Sequence, residues 1–241
     1  MEKHSVSFKK GLRDAIPIGL GYFAVSFTFG MMAQSAGIPV FIATLISLTN
    51  VTSAGQFAAL PIIAAGGSLA ELALTQLVIN LRYSLMSFSL SQKIEPKTKV
   101  PLRMAVSFGI TDEIFGIASS QKGKVDPAYN LGAMLCAIPL WVAGTAVGGL
   151  AGAVLPEIVM SALNVAIYGM FLAIILPPAR ENRAVLFVVL AAMALSCLFY
   201  YVPFLSKISS GFSIIIITLV VSVAAAVLSP VKEEGGEEHA T

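Results

Sequence analysis

Eight apolar segments, at about 15–36, 40–66, 72–92, 104–120, 129–152, 157–177, 184–202 and 209–229, set the terms on which this 241-residue chain can fold. Most approach the ~20 residues with which an α-helix crosses a bilayer. Within hydrocarbon, backbone groups find no water, so such segments must be helical and satisfy their hydrogen bonds internally. Hydrophobic residues make up 57% of the chain and charged ones 12%, about half the charge of a soluble domain, and the mean hydropathy is +0.87. The expected fold is all-α: a polytopic integral membrane helical bundle. The net charge of +2 is too small to point to nucleic acid. Cys136 and Cys197 lie in apolar segments without ligand spacing and read as small buried hydrophobes, not as disulfide or metal ligands. Walker, dinucleotide, HExxH and CxxC motifs are absent from the sequence, and His4 and His239 lie in its tails, so no cofactor and no histidine-based catalysis is expected.

The chain divides into a cytoplasmic N-terminal segment 1–14, a transmembrane domain 15–229 and a solvated acidic tail 230–241 with Glu233, Glu234, Glu237 and Glu238. The first apolar stretch is too long for a signal-peptide core and reads as a retained helix. Segment 40–66 is interrupted by Asn50-Val51-Thr52-Ser53-Ala54-Gly55-Gln56, small and polar types that favour local hydrogen bonding over regular helix. Two half-helices meeting at a break are expected there. The distribution of Lys and Arg favours a re-entrant course for this segment, with the N-terminus cytoplasmic. That course places eleven basic loop residues inside and three outside, against nine and five for eight full spans. An internal echo at an offset of 114 relates Asn50-Val51, Gly55, Phe57 and Ala59 to Asn164-Val165, Gly169, Phe171 and Ala173, and Gly30 to Gly144. As a repeat of 15–120 in 129–229 it would be inverted, an arrangement of broken helices found in secondary transporters. Compositional likeness between Gly/Ala-rich helices gives the same echo. Gly144, Gly148 and Gly152 form a ladder on which another helix could pack closely.

Arg82 lies in an otherwise uncharged run, eleven residues from both Glu71 and Lys93, roughly 16 Å from either end of a helix. A guanidinium at mid-membrane depth costs at least ~2.5 kcal/mol, and so faces protein or water and has a partner. A structural ion pair satisfies that demand as well as a transport pathway does. On the same helix Gln76, Asn80, Ser84, Ser87 and Ser91 recur at spacings of three and four and share one face, suited to helix–helix hydrogen bonding or to substrate contact. A helix polar on two sides should run through the middle of the bundle. Thr111-Asp112-Glu113 brings two carboxylates into an apolar stretch. One is the natural counter-ion of Arg82 and the other could take up protons, while capping of a half-helix is an equal reading of the motif. At the 50–56 break, helix termini offer N–H groups to a carboxylate and carbonyls to an ammonium, and Gly55 permits close backbone approach. The binding candidates are therefore Asn50, Ser53, Gly55, Gln56, Asn80 and Arg82, and the proton- or ion-coupling candidates Asp112 and Glu113.

Gly11-Leu12-Arg13-Asp14-Ala15-Ile16-Pro17 with Gly19, Phe29-Gly30, Ala33, Ser53-Ala54-Gly55-Gln56-Phe57-Ala58, Asn80-Leu81-Arg82-Tyr83-Ser84-Leu85 and Thr111-Asp112-Glu113 together resemble the AzlC branched-chain amino-acid permease family. The resemblance covers 11 to about 115 in motifs and the remainder in span pattern. It implies export of branched-chain amino acids across the cytoplasmic membrane, with a small hydrophobic AzlD-type subunit as partner. The chain departs from the family's pattern in Thr52-Ser53-Ala54-Gly55-Gln56, where Ala-Gly-Ser-Ala-Gln is frequent, and in Tyr83, where a histidine often follows the arginine. The expected function is a proton- or gradient-driven secondary exporter and not an enzyme, with a channel-like passive facilitator as the alternative. An intramembrane hydrolase using Asp112 is disfavoured, because a second placed aspartate is lacking and Arg82 would hold the first one ionised.

Overall fold

In the computed structural model the described residues are 2–152, 182–228 and, between them, Leu172, Leu176, Ala179 and Arg180. They belong to two compact units, Met1–Tyr168 and Gly169–Thr241. The described elements are helical, as expected.

The first unit is organised on a parallel pair of helices. α1 (Glu2–Asp14) leads into α2 (Ile16–Ser35), and both run beside α8 (Pro127–Gly152). Gly11 meets Tyr129, Gly19 meets Cys136, Gly30 meets Thr145 and Gly152 meets Met31, so position rises together along both chains. A Cβ at Gly148 would overlap the Phe27 carbonyl, and one at Gly144 the Phe23 carbonyl. The glycine ladder is thus an internal contact, in which small residues let two backbones close. Glu2–Asp14 is itself a helix packed on the start of α8 through Gly132 and Phe8. α2 and α8, which the offset of 114 equates, point the same way and are not inverted. The second part of that echo, 164–173, lies outside the described residues but for Leu172, as do segment 157–177, but for Leu172 and Leu176, and the tail 230–241.

Between α2 and α8 the chain makes one full crossing and two half-depth hairpins. α3 (Val40–Thr49) starts against Gly149 and descends along α8, where Ser47 Oγ lies 2.6 Å from Thr145 Oγ1. After Asn50–Thr52 the direction reverses. α4 (Ser53–Ala64) climbs until Leu60 clusters with Phe29, Ala33, Ile38 and Ala43, near where α3 began. Segment 40–66 therefore re-enters. α5 (Leu69–Lys93) then descends the whole way, from Gly67 and Glu71 beside Ile62 to Leu90 and Ile94 against Val125 and Tyr129. Its 25 residues measure about 37 Å.

From that end α6 (Val100–Phe108) climbs to Gly109–Thr111, and α7 (Asp112–Ser119) returns. Lys93 Nζ donates to the Ser119 carbonyl, and Gln121 Nε2 donates to Tyr129 Oη at 3.1 Å. Segment 104–120, expected as a span, is thus the upper part and returning arm of a re-entrant hairpin, broken by Gly109 and by the capping Thr111. This correction moves Lys122 and Lys124 to the end that also carries Lys9, Lys10, Arg13, Lys93, Lys97, Lys99 and Arg103. The connections at the other end, 36–39 and 65–68, contain no Lys or Arg.

The second unit contains α9 (Arg183–Tyr201), a 3-10 turn at Leu205–Lys207 and α10 (Ser210–Leu228), two apolar helices packed on each other. Asn182 caps α9 by accepting the Ala184 N–H at 2.8 Å. Together with α2 and α8 these are the four described helices long and apolar enough to cross a membrane by themselves. α5 falls outside that group because Gln76, Asn80, Arg82 and its serines lower its hydropathy.

Candidate functional site

The tips of the two hairpins, one from each end of the unit, lie together at mid-depth. Each break is closed by a threonine: Thr52 Oγ1 accepts from Gly55 N at 3.4 Å and Thr111 Oγ1 from Ile114 N at 3.3 Å. With the cap assigned to Thr111, both carboxylates in the first turn of α7 are left for other partners. Asp112 Oδ2 lies 2.9 Å from Arg82 Nη1. Glu113 Oε2 lies 2.6 Å from Tyr22 Oη, and the same phenol lies 2.5 Å from Thr111 Oγ1. A single phenolic proton cannot serve both oxygens at once. The Thr111 hydroxyl can rotate to donate to the phenol in turn, so Thr111, Tyr22 and Glu113 form one hydrogen-bonded trio.

Thr111, Asp112, Glu113 and Tyr22 wall a cavity of about 20 Å³ together with Val51, Ser53, Tyr83 and Trp141, room for roughly one water molecule. Tyr22 and Trp141 pack edge to face with centroids 5.4 Å apart. Thus Ser53, Arg82, Asp112 and Glu113 come together as the sequence suggested. Arg82 differs from expectation in burial. Its side chain and that of Asp112 are each 45% exposed, so the pair is not sealed inside the unit.

Gln56 is elsewhere. It is 1% exposed, donates to Ser47 Oγ at 2.8 Å and accepts from Trp141 Nε1 at 3.0 Å. This network fixes the first tip to α8. Gly55 and Asn80 join the tip to α5: Gln76 Nε2 donates to the Gly55 carbonyl at 2.8 Å, Asn80 Nδ2 to Gln76 Oε1 at 3.2 Å, and Thr52 Oγ1 to Asn80 Oδ1 at 2.8 Å. Asn50 ends α3, its N–H on the Ile46 carbonyl at 2.8 Å and its own carbonyl taking Thr52 N–H at 3.0 Å. Ser84, Ser87 and Ser91 line a groove between α5 and α6. α5 does not run through the middle of the unit. It packs on α4 and α7 and leaves Leu77, Leu81, Leu85 and Phe88 exposed.

Sequence reasoning passed over Tyr22, Tyr83 and Trp141 as site residues. A signal existed for two of them: a tyrosine hydroxyl in mid-helix and the chain's one tryptophan both need polar partners when buried.

The fold defines a helical integral membrane protein built round discontinuous helices whose ends converge on an ion pair. The AzlC protein profile matches residues 17–155, and the chain belongs to the AzlC family. It is 36% identical over 175 residues to an Archaeoglobus fulgidus protein described as an uncharacterized membrane protein, covering 72% of this chain and 76% of that one. It is 27% identical over 187 residues to the inner membrane protein YgaZ of Escherichia coli, covering 75% and 76%. A Helicobacter pylori membrane protein is 28% identical over 153 residues, covering 60% and 66%. No solved structure matches the chain.

Proposed function

We propose that the protein is a secondary transporter that exports branched-chain and similar apolar amino acids from the cytoplasm, with the Arg82–Asp112 pair as the substrate lock. The observation that carries this reading is the pair itself, 2.9 Å apart at the meeting point of the hairpin tips. Opened, it presents a guanidinium to a carboxylate and a carboxylate to an ammonium, the complement of an amino-acid zwitterion. Closed, the pair neutralises itself, so the site cycles between two balanced states without an unpaired charge at mid-depth. Glu113 and Tyr22 supply a neighbouring proton acceptor and relay through which a proton gradient could drive the cycle. Asn50, Ser53, Gly55, Gln56 and Asn80 form and brace the tip on which the substrate docks.

The basic end of the first unit faces the cytoplasm in this reading, because lysine and arginine accumulate in cytoplasmic loops. The membrane is the cell membrane, and a small AzlD-type subunit completes the assembly. A passive channel, in which the half-helices build a pore, is the second reading. The test is leucine uptake into everted vesicles under an imposed pH gradient. Saturable, gradient-sensitive uptake lost in Arg82→Ala is expected, whereas linear and gradient-blind flux would favour the channel.

A further inference from the structure

Next to the small central cavity, α5 and α6 line an open groove of about 550 Å³ towards the basic end of the unit. Its volume falls in the range of small-molecule sites. Phe88, Met104 and Val106 give it apolar walls, Ser84, Ser87 and Ser91 add hydroxyls, and Arg103 stands among its lining residues. Tyr83 lines both this groove and the central cavity. The Arg82 guanidinium lies over the Tyr83 ring, 5.3 Å from its centroid, within cation–π range. One side chain therefore separates the spacious compartment from the tight one and contacts the cation that locks the latter.

We propose that the α5–α6 groove is the chamber that receives the aliphatic side chain of the amino acid from the basic end, and that Tyr83 is the gate between it and the Arg82–Asp112 lock. The proposal rests on the zwitterion reading of that lock and adds where the apolar part of the substrate goes. A ligand entering the groove meets Tyr83 before it meets Asp112. Displacing the ring removes the stacked partner of Arg82, so entry of the side chain and release of the ion pair become one event. Leucine, isoleucine and valine suit walls of Phe, Met and Val, since their aliphatic carbons leave water on entering. The serines on the α5 face leave that wall with hydroxyls, which a hydrated ligand can use while shedding water.

The test uses the full chain with Cys136 and Cys197 replaced by serine, carrying Met104→Cys, in everted vesicles. Methanethiosulfonate ethylsulfonate, which does not cross the membrane, should label this cysteine. Leucine should slow the labelling, and the modified protein should lose most of its leucine flux relative to its own rate before modification. Labelling that leucine leaves unchanged, flux that survives complete modification, or a cysteine that stays unlabelled would each overturn the chamber. Arg82→Ala measured alongside keeps the two claims apart. Normal flux in that variant sinks the lock, whereas lost flux there with indifference to modification at 104 sinks only the chamber. For the gate, Tyr83→Ala should raise phenylalanine flux relative to leucine at equal amounts of membrane-inserted protein, and an unchanged ratio removes Tyr83 from that role.

Discussion

Asp112 and Glu113 are adjacent in sequence yet hold different kinds of partner, a cation for the first and a phenol for the second. Consecutive helical positions point about 100° apart, which is why one arginine could not have satisfied both. Their substitutions should therefore separate. Asp112→Asn strips Arg82 of its counter-charge and should abolish leucine flux under every gradient. Glu113→Gln and Tyr22→Phe should retain substrate-driven exchange and lose the response to an imposed pH gradient. Equal and mild effects of Asp112→Asn and Glu113→Gln would reduce the motif to helix capping. Arg82→Lys should restore only part of the activity missing in Arg82→Ala, because an ammonium cannot reproduce the planar fork of a guanidinium. At this scale the sequence was informative about charge and poor about hydroxyls and rings. Arg82, Asp112 and Glu113 are conspicuous in apolar runs because each has to be neutralised. Tyr22 and Trp141 look like ordinary apolar bulk until the element that receives their polar atoms is known.

Helix breaks were legible for a different reason. The run from Asn50 to Gln56 combines a capping threonine with small residues, and the structure turns the chain back there. The equivalent break at Gly109–Thr111 spans few residues, so the length and hydropathy of 104–120 present a crossing, although Thr111-Asp112-Glu113 also carried the capping signal of a half-helix. What decides it is that Lys93 and Gln121 bind back to the same end, a tertiary fact. The four-residue spacing of Gly144, Gly148 and Gly152 did forecast a close helix contact, and the structure supplies α2 as the partner. Gly148→Leu should push that pair apart. Overpacking of this kind costs about 1–3 kcal/mol or more, so the melting temperature in detergent should fall and protein yield with it. An unchanged melting temperature would show that the α2–α8 contact contributes little to stability.

At the scale of the first unit, the basic end is also where α1 is tied down. His4 Nδ1 lies 2.7 Å from Asp126 Oδ2, and Ala128 N–H donates to Asp126 Oδ1 at 2.9 Å. Burial pushes the Asp126 carboxyl up, but the Ala128 N–H and the His4 ring outweigh it and hold it below its ordinary value. A carboxylate with a lowered folded-state pKa stabilises the fold above its unfolded value of about 3.9, and that contribution disappears as pH falls through the folded value. Protection of the α1 amides, taken relative to their intrinsic exchange at each pH, should consequently fall below about pH 4. In Asp126→Asn protection should be low throughout, and protection that does not fall in acid in the unsubstituted protein would contradict the tether. The parallel course of α2 and α8 has a further consequence, for biogenesis. Gly30 leaves the ribosome long before Thr145 exists, and the polar tips at Asn50–Thr52 and Gly109–Thr111 have no place in hydrocarbon until α8 arrives with Trp141 and Thr145. The order of assembly cannot follow the order of synthesis: the through-helices must enter first, and both hairpins must wait at the membrane surface or in the care of an insertase before dropping into place.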